Sequence, residues 1–188
     1  MTRVEEALAL IEAARAEKER LIVAIDGPCA SGKTTLAASL AGILACPVIH
    51  MDHFFLRPEQ RTPERLLEPG GNLDRERFAE EVLHPLSKGI SFAYRPLICR
   101  TMTLGEPIEV PASPVILVEG SYSCHPDLRD AYDLRLFSSV DPVEQKRRLL
   151  AREGAEKLEV FLTKWIPLEE AYFKACAVPD SCRILTQT

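Results

Sequence analysis

Residues 27–34 are the part of the chain whose types and spacing most clearly indicate chemistry. They follow the spacing G-x-x-x-x-G-K-T, in which the glycines allow a tight turn and successive backbone N–H groups can point at phosphate oxygens. Lys33 can reach the β- and γ-phosphates of a nucleotide, and the hydroxyl of Thr34 can ligate Mg²⁺. The other residues expected to contact the nucleotide are their neighbours in the loop: Gly27, Pro28, Cys29, Ala30, Ser31, Gly32 and Thr35. We therefore expect the chain to bind a nucleoside triphosphate.

The segments on either side of this loop support the same interpretation. Residues 21–25 form an apolar, β-branched run long enough for one buried strand, and an apolar helical pattern follows over residues 36–44. Strand, glycine-bounded loop and helix thus occur in the order that a phosphate-binding loop requires, with the positive end of the helix dipole facing the anion. The alternative is a chance match of the motif in a turn that contains glycine. The strand and helix patterns on either side of the loop argue against it.

Two acidic residues directly follow other apolar strands. Residues 47–51 predict a strand that ends at Asp52, and residues 114–118 predict a strand that ends at Glu119. Because ligands collect at the carboxyl ends of parallel strands, we expect both acids near the loop. Asp52 suits a base that accepts the proton of an acceptor hydroxyl, and Glu119 suits the outer shell of Mg²⁺. Each acid could instead be a helix N-cap or a solvated turn residue.

The elements that must position these residues predict an α/β fold. Strands expected at residues 21–25, 47–51, 114–118, 132–140 and 182–185 alternate with helical patterns, which predicts a three-layer αβα sandwich of the P-loop NTPase type around a five-stranded, mostly parallel sheet. Helices are expected over residues 4–19, 36–44, 74–89, 142–153 and 156–175. Pro85 should end or kink the third helix near Leu83, and Pro167 should break the last.

The remaining segments are read as additions to one domain that spans residues 1–188. Residues 1–20 predict a helix that packs at the sheet edge beside the first strand, and residues 54–72 predict a long functional loop or lid. Residues 90–111 alternate weakly and predict a hairpin-like excursion with a turn near residues 104–106.

Composition limits the classes of function. The chain has 188 residues, 46% of them hydrophobic, and a formal net charge of −5, which fits one globular domain and argues against a general nucleic-acid binder. It contains neither a run of about 20 apolar residues nor the apolar core of a signal peptide, so we expect a cytoplasmic protein without membrane partners. The six cysteines lack metal-ligand spacing and are expected to be reduced thiols.

Several segments together resemble the uridine kinase and phosphoribulokinase group of P-loop kinases, and also the nicotinamide riboside kinases of the same set. They are GPCASGKTT, HMDHFF, GGNLDRERF, ILVEGSY and DPVEQKRRLLARE, spread from about residue 21 to residue 153. The D-x-F-F and N-x-D-x-x-x-F segments are more particular to this group than the loop is. The resemblance implies ATP-dependent phosphorylation of a small-molecule hydroxyl, with Asp52 as general base and Mg²⁺ near Thr34, Asp52 and Glu119.

The resemblance also implies contacts with the acceptor and with the phosphates. Asp74 matches the acid that holds ribose hydroxyls in nucleoside kinases of this group, and Tyr94 matches an aromatic residue that helps to hold the base. Arg148 and Arg152 match arginines on the lid side of the phosphates. Their i,i+4 spacing independently puts both on one helix face, where they could stabilise a transferring phosphoryl group or form a solvated basic surface. Acceptor contacts are further expected from Phe54 and Arg95.

Three departures from this group concern the acceptor and the lid. Cys99 stands where uridine kinases carry a histidine, and His53 follows the expected base. Residues 154–173 replace the arginine-rich lid. Lys157, Trp165 and Glu169 could take part in a different closing element, although for Trp165, the only tryptophan, a place in the core is favoured.

The hypothesis drawn from these features is a uridine-kinase-like small-molecule kinase that uses ATP and Mg²⁺ on a nucleoside or similar hydroxyl acceptor. A nicotinamide riboside kinase or sugar-type kinase is the rival within the class. A nucleotide-dependent switch without an acceptor is the alternative from another class, and Asp52 beside aromatic residues argues against it. The identity of the acceptor and the oligomeric state stay open.

Overall fold

The computed structural model describes residues 1–185, and nine strands occur in this part of the chain. The strands are β1 (Leu21–Asp26), β2 (Val48–His50), β3 (Phe92–Tyr94), β4 (Leu97–Ile98), β5 (Thr103–Leu104), β6 (Ile108–Val110), β7 (Val115–Glu119), β8 (Leu134–Ser138) and β9 (Arg183–Leu185). The α-helices are α1 (Arg3–Arg15), α2 (Lys33–Leu44), α3 (Pro63–Leu67), α4 (Arg75–Phe78), α5 (His84–Lys88), α6 (Pro142–Glu153), α7 (Ala155–Val160) and α8 (Ile166–Ala175).

Five of these strands form one sheet in the order β2-β7-β1-β8-β9, and every neighbouring pair is parallel. The expected α/β fold with a five-stranded sheet is therefore confirmed. The register pairs Ile25 with Glu119 and His50 with Glu119. The phosphate-binding loop and both expected acids consequently start from the same edge of the sheet, where ligands bind in open α/β folds.

Apolar side chains cover both faces of the sheet. Val23 and Ile25 pack on one face with Ile11 of α1 and Leu40 of α2. The alternate residues of β1 face the opposite cluster, which contains side chains from α4, α5 and α8. This alternation follows from the two-residue period of a strand. Each fully buried Leu or Ile contributes about 1.5–3 kcal/mol relative to an exposed one.

Helix α1 lies over the sheet rather than at its edge. The expectation that it packs at an edge beside β1 is wrong, because β8 and β9 extend the sheet beyond β1 and leave that strand central. Two residues of α1, Ala7 and Ile11, are fully buried. The helix contacts α2, β1, β8 and β9. A capping box formed by Thr2 and Glu5 begins the helix.

Neither Pro85 nor Pro167 breaks its helix. Each proline comes shortly after a five-residue π-helical turn, Ala79–Leu83 in one case and Phe161–Trp165 in the other. In such a turn the N–H groups donate five residues back, which widens the helix. Because proline lacks an N–H and its ring needs space against the preceding turn, the widened turn lets the helical path continue. The break expected at Pro167 is thus wrong, as is the helix end at Pro85, while the kink that Pro85 is also expected to cause stays a prediction.

The hairpin-like excursion predicted for residues 90–111 is present between α5 and β7, but its turn lies at other residues than predicted. Strand β3 pairs with β6, and β4 pairs with β5, both antiparallel. The tip comprises residues 99–102, with Met102 at φ 56°. The expected turn near residues 104–106 is wrong because residue 104 belongs to β5 and the N–H of Gly105 donates to the carbonyl of Pro96 at 2.8 Å.

Two further findings concern the whole described part of the chain. No helix in residues 1–185 is long and apolar enough to span a membrane. The six cysteines all have free thiols, and the Sγ atoms of Cys124 and Cys182 lie 3.7 Å apart.

Candidate active site

The phosphate-binding loop depends on two glycines with positive φ. Gly27 has φ +144°, and a Cβ there would lie 2.3 Å from the carbonyl oxygen of Ser138, at the end of β8. Gly32 has φ +91° and precedes α2, whose first turn receives no side-chain cap. The loop can therefore adopt its shape only with glycine at these positions, and the N-terminal amides of α2 are left to bind an anion.

The ammonium group of Lys33 lies inside this loop. Its Nζ donates to the carbonyl oxygen of Gly27 at 2.7 Å and to that of Pro28 at 2.8 Å. The side chain is buried, with 7% of its surface exposed. A positive charge is thus held on the loop, where the β- and γ-phosphates of a nucleotide would bind.

Thr34 and Glu119 form the part of the site that fits a magnesium ion. The Thr34 hydroxyl donates to Glu119 at 3.2 Å. The second partner of Glu119 is the Nδ1 of His50, 2.6 Å from its Oε1. This hydrogen bond is the main reason that the pKa of His50 is raised. His50 was missed in the sequence, although its place two residues before Asp52 was the available signal.

Asp52 lies in a 3₁₀ turn, Met51–Phe54, that directly follows β2. Its side chain reaches solvent through the cleft described below, although protein atoms surround it on most sides. Loss of hydration raises the pKa of Asp52, and the negative charge of Glu119 raises it further. The positive charges of Lys33 and His50 act in the opposite direction. The expected base is therefore accessible and lies close to the loop lysine and to the expected metal ligand.

One open cleft of about 1760 Å³ joins these groups. Its nucleotide side contains the loop and α6, including Lys33, Thr34, Arg148 and Arg152. The other side lies beyond Asp52 and is lined by Phe55, Arg61, Leu66, Asn72, Cys99, Met102 and Tyr122. The cleft can thus accommodate a nucleotide and a second, partly apolar molecule.

Four residues expected to contact the acceptor do not line this cleft. They are Phe54, Asp74, Tyr94 and Arg95. Asp74 is 1% exposed; it caps α4 by accepting from the N–H of Arg77 at 3.2 Å and forms an ion pair with that guanidinium. In this structure Asp74 therefore serves as a helix cap that also forms an ion pair.

The other three have equally definite partners. Phe54 is fully buried and packs edge-on against Phe78, with ring centroids 5.0 Å apart. The hydroxyl of Tyr94 lies 3.0 Å from Nδ1 of His53. Arg95 donates to the carbonyl oxygens of Leu104 and Gly105. Phe55, rather than Phe54, is the aromatic neighbour of Asp52 that faces the cleft.

Helix α6 is fastened to the loop by polar side chains. Arg148 donates to the carbonyl oxygen of Ala30 at 3.2 Å and to Glu144 at 2.7 Å. Gln145 donates to the carbonyl oxygen of Cys29 at 2.9 Å. Both expected arginines, Arg148 and Arg152, line the cleft, so the structure brings them to the side of the loop that the sequence predicted.

An arginine of the N-terminal helix, Arg3, also reaches this loop. It donates to the carbonyl oxygen of Ser31 at 2.7 Å and to the hydroxyl of Ser138 at 2.9 Å. Burial is the main cause that lowers the pKa of Arg3, and the charge of Arg148 lowers it further. No local sequence pattern indicates this contact, because it joins residues far apart in the chain.

Residues 154–173, the segment expected to stand in place of an arginine-rich lid, contribute Trp165 and Glu169 to the cleft. Trp165 is half-buried, and Nζ of Lys164 lies 4.6 Å from its ring centroid. The favoured place for Trp165 in the core is therefore wrong. Glu169 is buried, with 6% of its surface exposed, and accepts a hydrogen bond from the backbone N–H of Cys29.

Comparison with known proteins agrees with this architecture. No protein-family model and no curated protein matches the chain. A structure described as a possible uridine kinase from Bacillus stearothermophilus superimposes with a TM-score of 0.76 at 19% identity, over 98% of this chain and 97% of that one. A provisionally assigned fructose transport system kinase from a Silicibacter species superimposes with a TM-score of 0.63 at 23% identity, over 98% of this chain and 96% of that one.

At such low identities these likenesses establish the fold alone. The shared fold is a three-layer α/β fold, in which a parallel sheet presents the glycine-bounded loop at its carboxyl edge. The fold expected from the uridine-kinase-like segments is thereby confirmed.

Proposed function

We propose that this chain is an ATP-dependent kinase that transfers the γ-phosphate to a hydroxyl group of a small molecule, with Asp52 as the general base. One observation carries the proposal. Asp52 lines the same cleft as Lys33, Thr34 and Glu119. The charge of Glu119 raises the pKa of Asp52, and the charge of Lys33 lowers it. A carboxylate beside the phosphate site is needed for an acceptor hydroxyl and has no use in simple nucleotide binding.

The groups around the loop fit ATP with Mg²⁺. Lys33 is already buried at the loop, and Thr34 and Glu119 supply a hydroxyl and a carboxylate that are hydrogen-bonded to each other. No three His, Cys, Asp or Glu side chains within residues 1–185 form a metal cage, and Mg²⁺ in such sites relies on one or two carboxylates together with phosphate oxygens. When bound, Mg²⁺ would neutralise charge on the phosphates.

Three side chains would carry the transfer itself. Asp52 would accept the proton from the acceptor hydroxyl as that oxygen attacks phosphorus. Lys33 would neutralise charge on the β- and γ-phosphates, while Arg148, which reaches the loop from α6, would stabilise charge on the transferring group. Arg152 lies one turn further along the same helix and faces the same cleft.

The far side of the cleft supports an acceptor with both apolar and polar surface. Phe55, Leu66 and Met102 supply apolar contacts, while Asn72 and Tyr122 supply polar groups. Such a lining suits a nucleoside, with nicotinamide riboside or a sugar as rivals. Contacts from Asp74 and Tyr94 stay part of the nucleoside proposal, and they would require both side chains to leave their present partners.

A screen of acceptors tests this function. Purified protein with Mg·ATP is incubated with nucleosides, nicotinamide riboside or simple sugars, and ADP release is measured. We expect release only with particular acceptors, and we expect Lys33→Ala to abolish it. ADP release at the same rate with every compound, or with none added, would instead indicate a nucleotide-hydrolysing switch.

A further inference from the structure

Glu169 places a buried carboxylate directly on the phosphate-binding loop. Its Oε2 accepts a hydrogen bond from the backbone N–H of Cys29 at 2.8 Å, and its Oε1 accepts one from the hydroxyl of Ser121 at 2.6 Å. Within residues 1–185 no lysine, arginine or histidine lies within ion-pair distance of this carboxylate. An acid therefore uses a loop amide of the kind that binds phosphate oxygens in nucleotide sites.

The contacts of Glu169 lie at the end of the site where a γ-phosphate would bind. Cys29 follows Gly27 and Pro28, whose carbonyl oxygens hold the ammonium of Lys33, the group that reaches the β- and γ-phosphates. Ser121 comes two residues after Glu119, on the side of the expected metal ion. Glu169 also contributes to the raised pKa of Asp52, the expected base. The carboxylate and a terminal phosphate would thus occupy neighbouring or shared space.

Two anions cannot share one amide without a large electrostatic cost, because like charges at such distances repel strongly. A nucleoside diphosphate ends at its β-phosphate, before the amide that Glu169 occupies, and leaves the Glu169 carboxylate in place. A triphosphate adds a negatively charged group beside it. Glu169 is consequently in a position to distinguish the two nucleotides.

On the condition that the chain binds ATP as proposed above, we propose that Glu169 is a specificity-determining residue that competes with the γ-phosphate for the N–H of Cys29 and the hydroxyl of Ser121. A triphosphate must displace this carboxylate, and a diphosphate need not. Displacement moves the start of α8, which Trp165 directly precedes at the cleft wall, four residues before Glu169. The segment that replaces the arginine-rich lid therefore responds to the state of the nucleotide.

Binding measurements on two glutamine variants test the competition. Calorimetric affinities for ADP and for a non-hydrolysable ATP analogue are compared in wild type, Glu169→Gln and Glu170→Gln. Glu170 is the adjacent, exposed acid of the same helix and serves as the matched control. We expect Glu169→Gln to bind the analogue about tenfold more tightly and ADP within about twofold of wild type, because a neutral amide removes the repulsion. We expect Glu170→Gln to resemble wild type.

The fluorescence of Trp165, the only tryptophan, tests the displacement in the unmodified chain. We expect the analogue to change its emission and ADP to leave it nearly unchanged. Unchanged analogue affinity in Glu169→Gln, weaker binding, or equal tightening of ADP would overturn the competition while leaving ATP binding intact. If wild type binds neither nucleotide, the proposed kinase function fails as well.

Discussion

At the scale of single residues, the chemistry of the site depends on how its surroundings alter Asp52. A carboxylate in water would be too weak a base to take a proton from an alcohol efficiently, and partial burial near Glu119 makes it a stronger one by raising its pKa. Lys33 and His50 limit this effect. The raised pKa makes Asp52 a stronger base for the transfer than an ordinary aspartate.

Replacement of Asp52 by Asn tests its role. We expect the rate of phosphoryl transfer to fall about 10²–10⁴-fold, because Asn has nearly the same shape but cannot accept the proton. Affinity for ATP, measured by calorimetry, should stay within a few-fold. Asp130→Asn, at an exposed acid outside the cleft, is the matched control and should retain full activity. Normal turnover in Asp52→Asn would remove this residue from the mechanism.

The pH dependence of the reaction provides a second test of Asp52. Because its pKa lies above the usual value of 3.8, the carboxylate takes up a proton at a higher pH than an ordinary aspartate does. We therefore expect kcat/KM to fall as the pH decreases through this raised pKa. A rate that stays constant down to pH 4, measured on protein shown to be folded at that pH, would contradict the assignment.

At the scale of elements, the site is made by the close approach of the loop after β1 to the end of β8. Gly27 lies against the carbonyl oxygen of Ser138. Arg3 of α1 donates a hydrogen bond to the hydroxyl of the same serine. The loop shape is therefore set by β8 and α1 as well as by its own sequence.

Two glycine substitutions test this dependence. In Gly27→Ala the new methyl group would lie 2.3 Å from a backbone oxygen and at φ +144°, so we expect a loss of about 2–4 kcal/mol in unfolding free energy and loss of nucleotide binding. Gly42 lies exposed within α2 and has open space at its Cβ position. Gly42→Ala should stabilise the protein by about 0.5–1 kcal/mol. Urea unfolding measures both, and equal effects would contradict the close approach.

The elements that the sequence predicted well are those whose signal is local. The strand before the loop, the helix after it and the bounds of α6, expected over residues 142–153, all rest on neighbouring residues. The acids at strand ends could also be assigned to the site, because parallel strands bring their carboxyl ends together.

Contacts between distant segments could not be predicted in the same way. Glu169 and Arg3 reach the loop only because α8 and α1 pack where they do, and neither residue lies in a local motif. The π turns before Pro85 and Pro167 were missed because a proline normally signals the end of a helix. At Asp74 the motif match predicts an acceptor contact, which stays a prediction, and the structure adds a helix cap that the sequence analysis did not assign to it.

At the scale of the whole molecule, one buried carboxylate joins three parts of the fold. Asp26, fully buried at the end of β1, accepts from the N–H of Gly27, the N–H of Cys124 and the hydroxyl of Tyr172. It thereby connects the phosphate-binding loop, the segment after β7 and helix α8. Burial raises its pKa to about 6, against the opposing effect of these hydrogen bonds.

This raised pKa makes the contribution of Asp26 to stability depend on pH. Between its usual pKa of 3.8 and the folded value of about 6, the folded state holds more protons than the unfolded state, so stability falls as the pH rises through this window. We expect the unfolding free energy of wild type minus that of Asp26→Asn to decrease by up to about 3 kcal/mol from pH 4 to pH 7. Urea unfolding of both proteins measures this difference. A constant or increasing difference would contradict it.

The central claim is that the loop and Asp52 act together on a second molecule. Phosphorus NMR of a reaction with Mg·ATP and the best acceptor from the screen tests it most directly. We predict one equivalent of a new phosphomonoester for each ADP formed, with almost none in Asp52→Asn or Lys33→Ala. ADP accompanied only by inorganic phosphate, at a rate that the acceptor and Asp52→Asn leave unchanged, would contradict the claim.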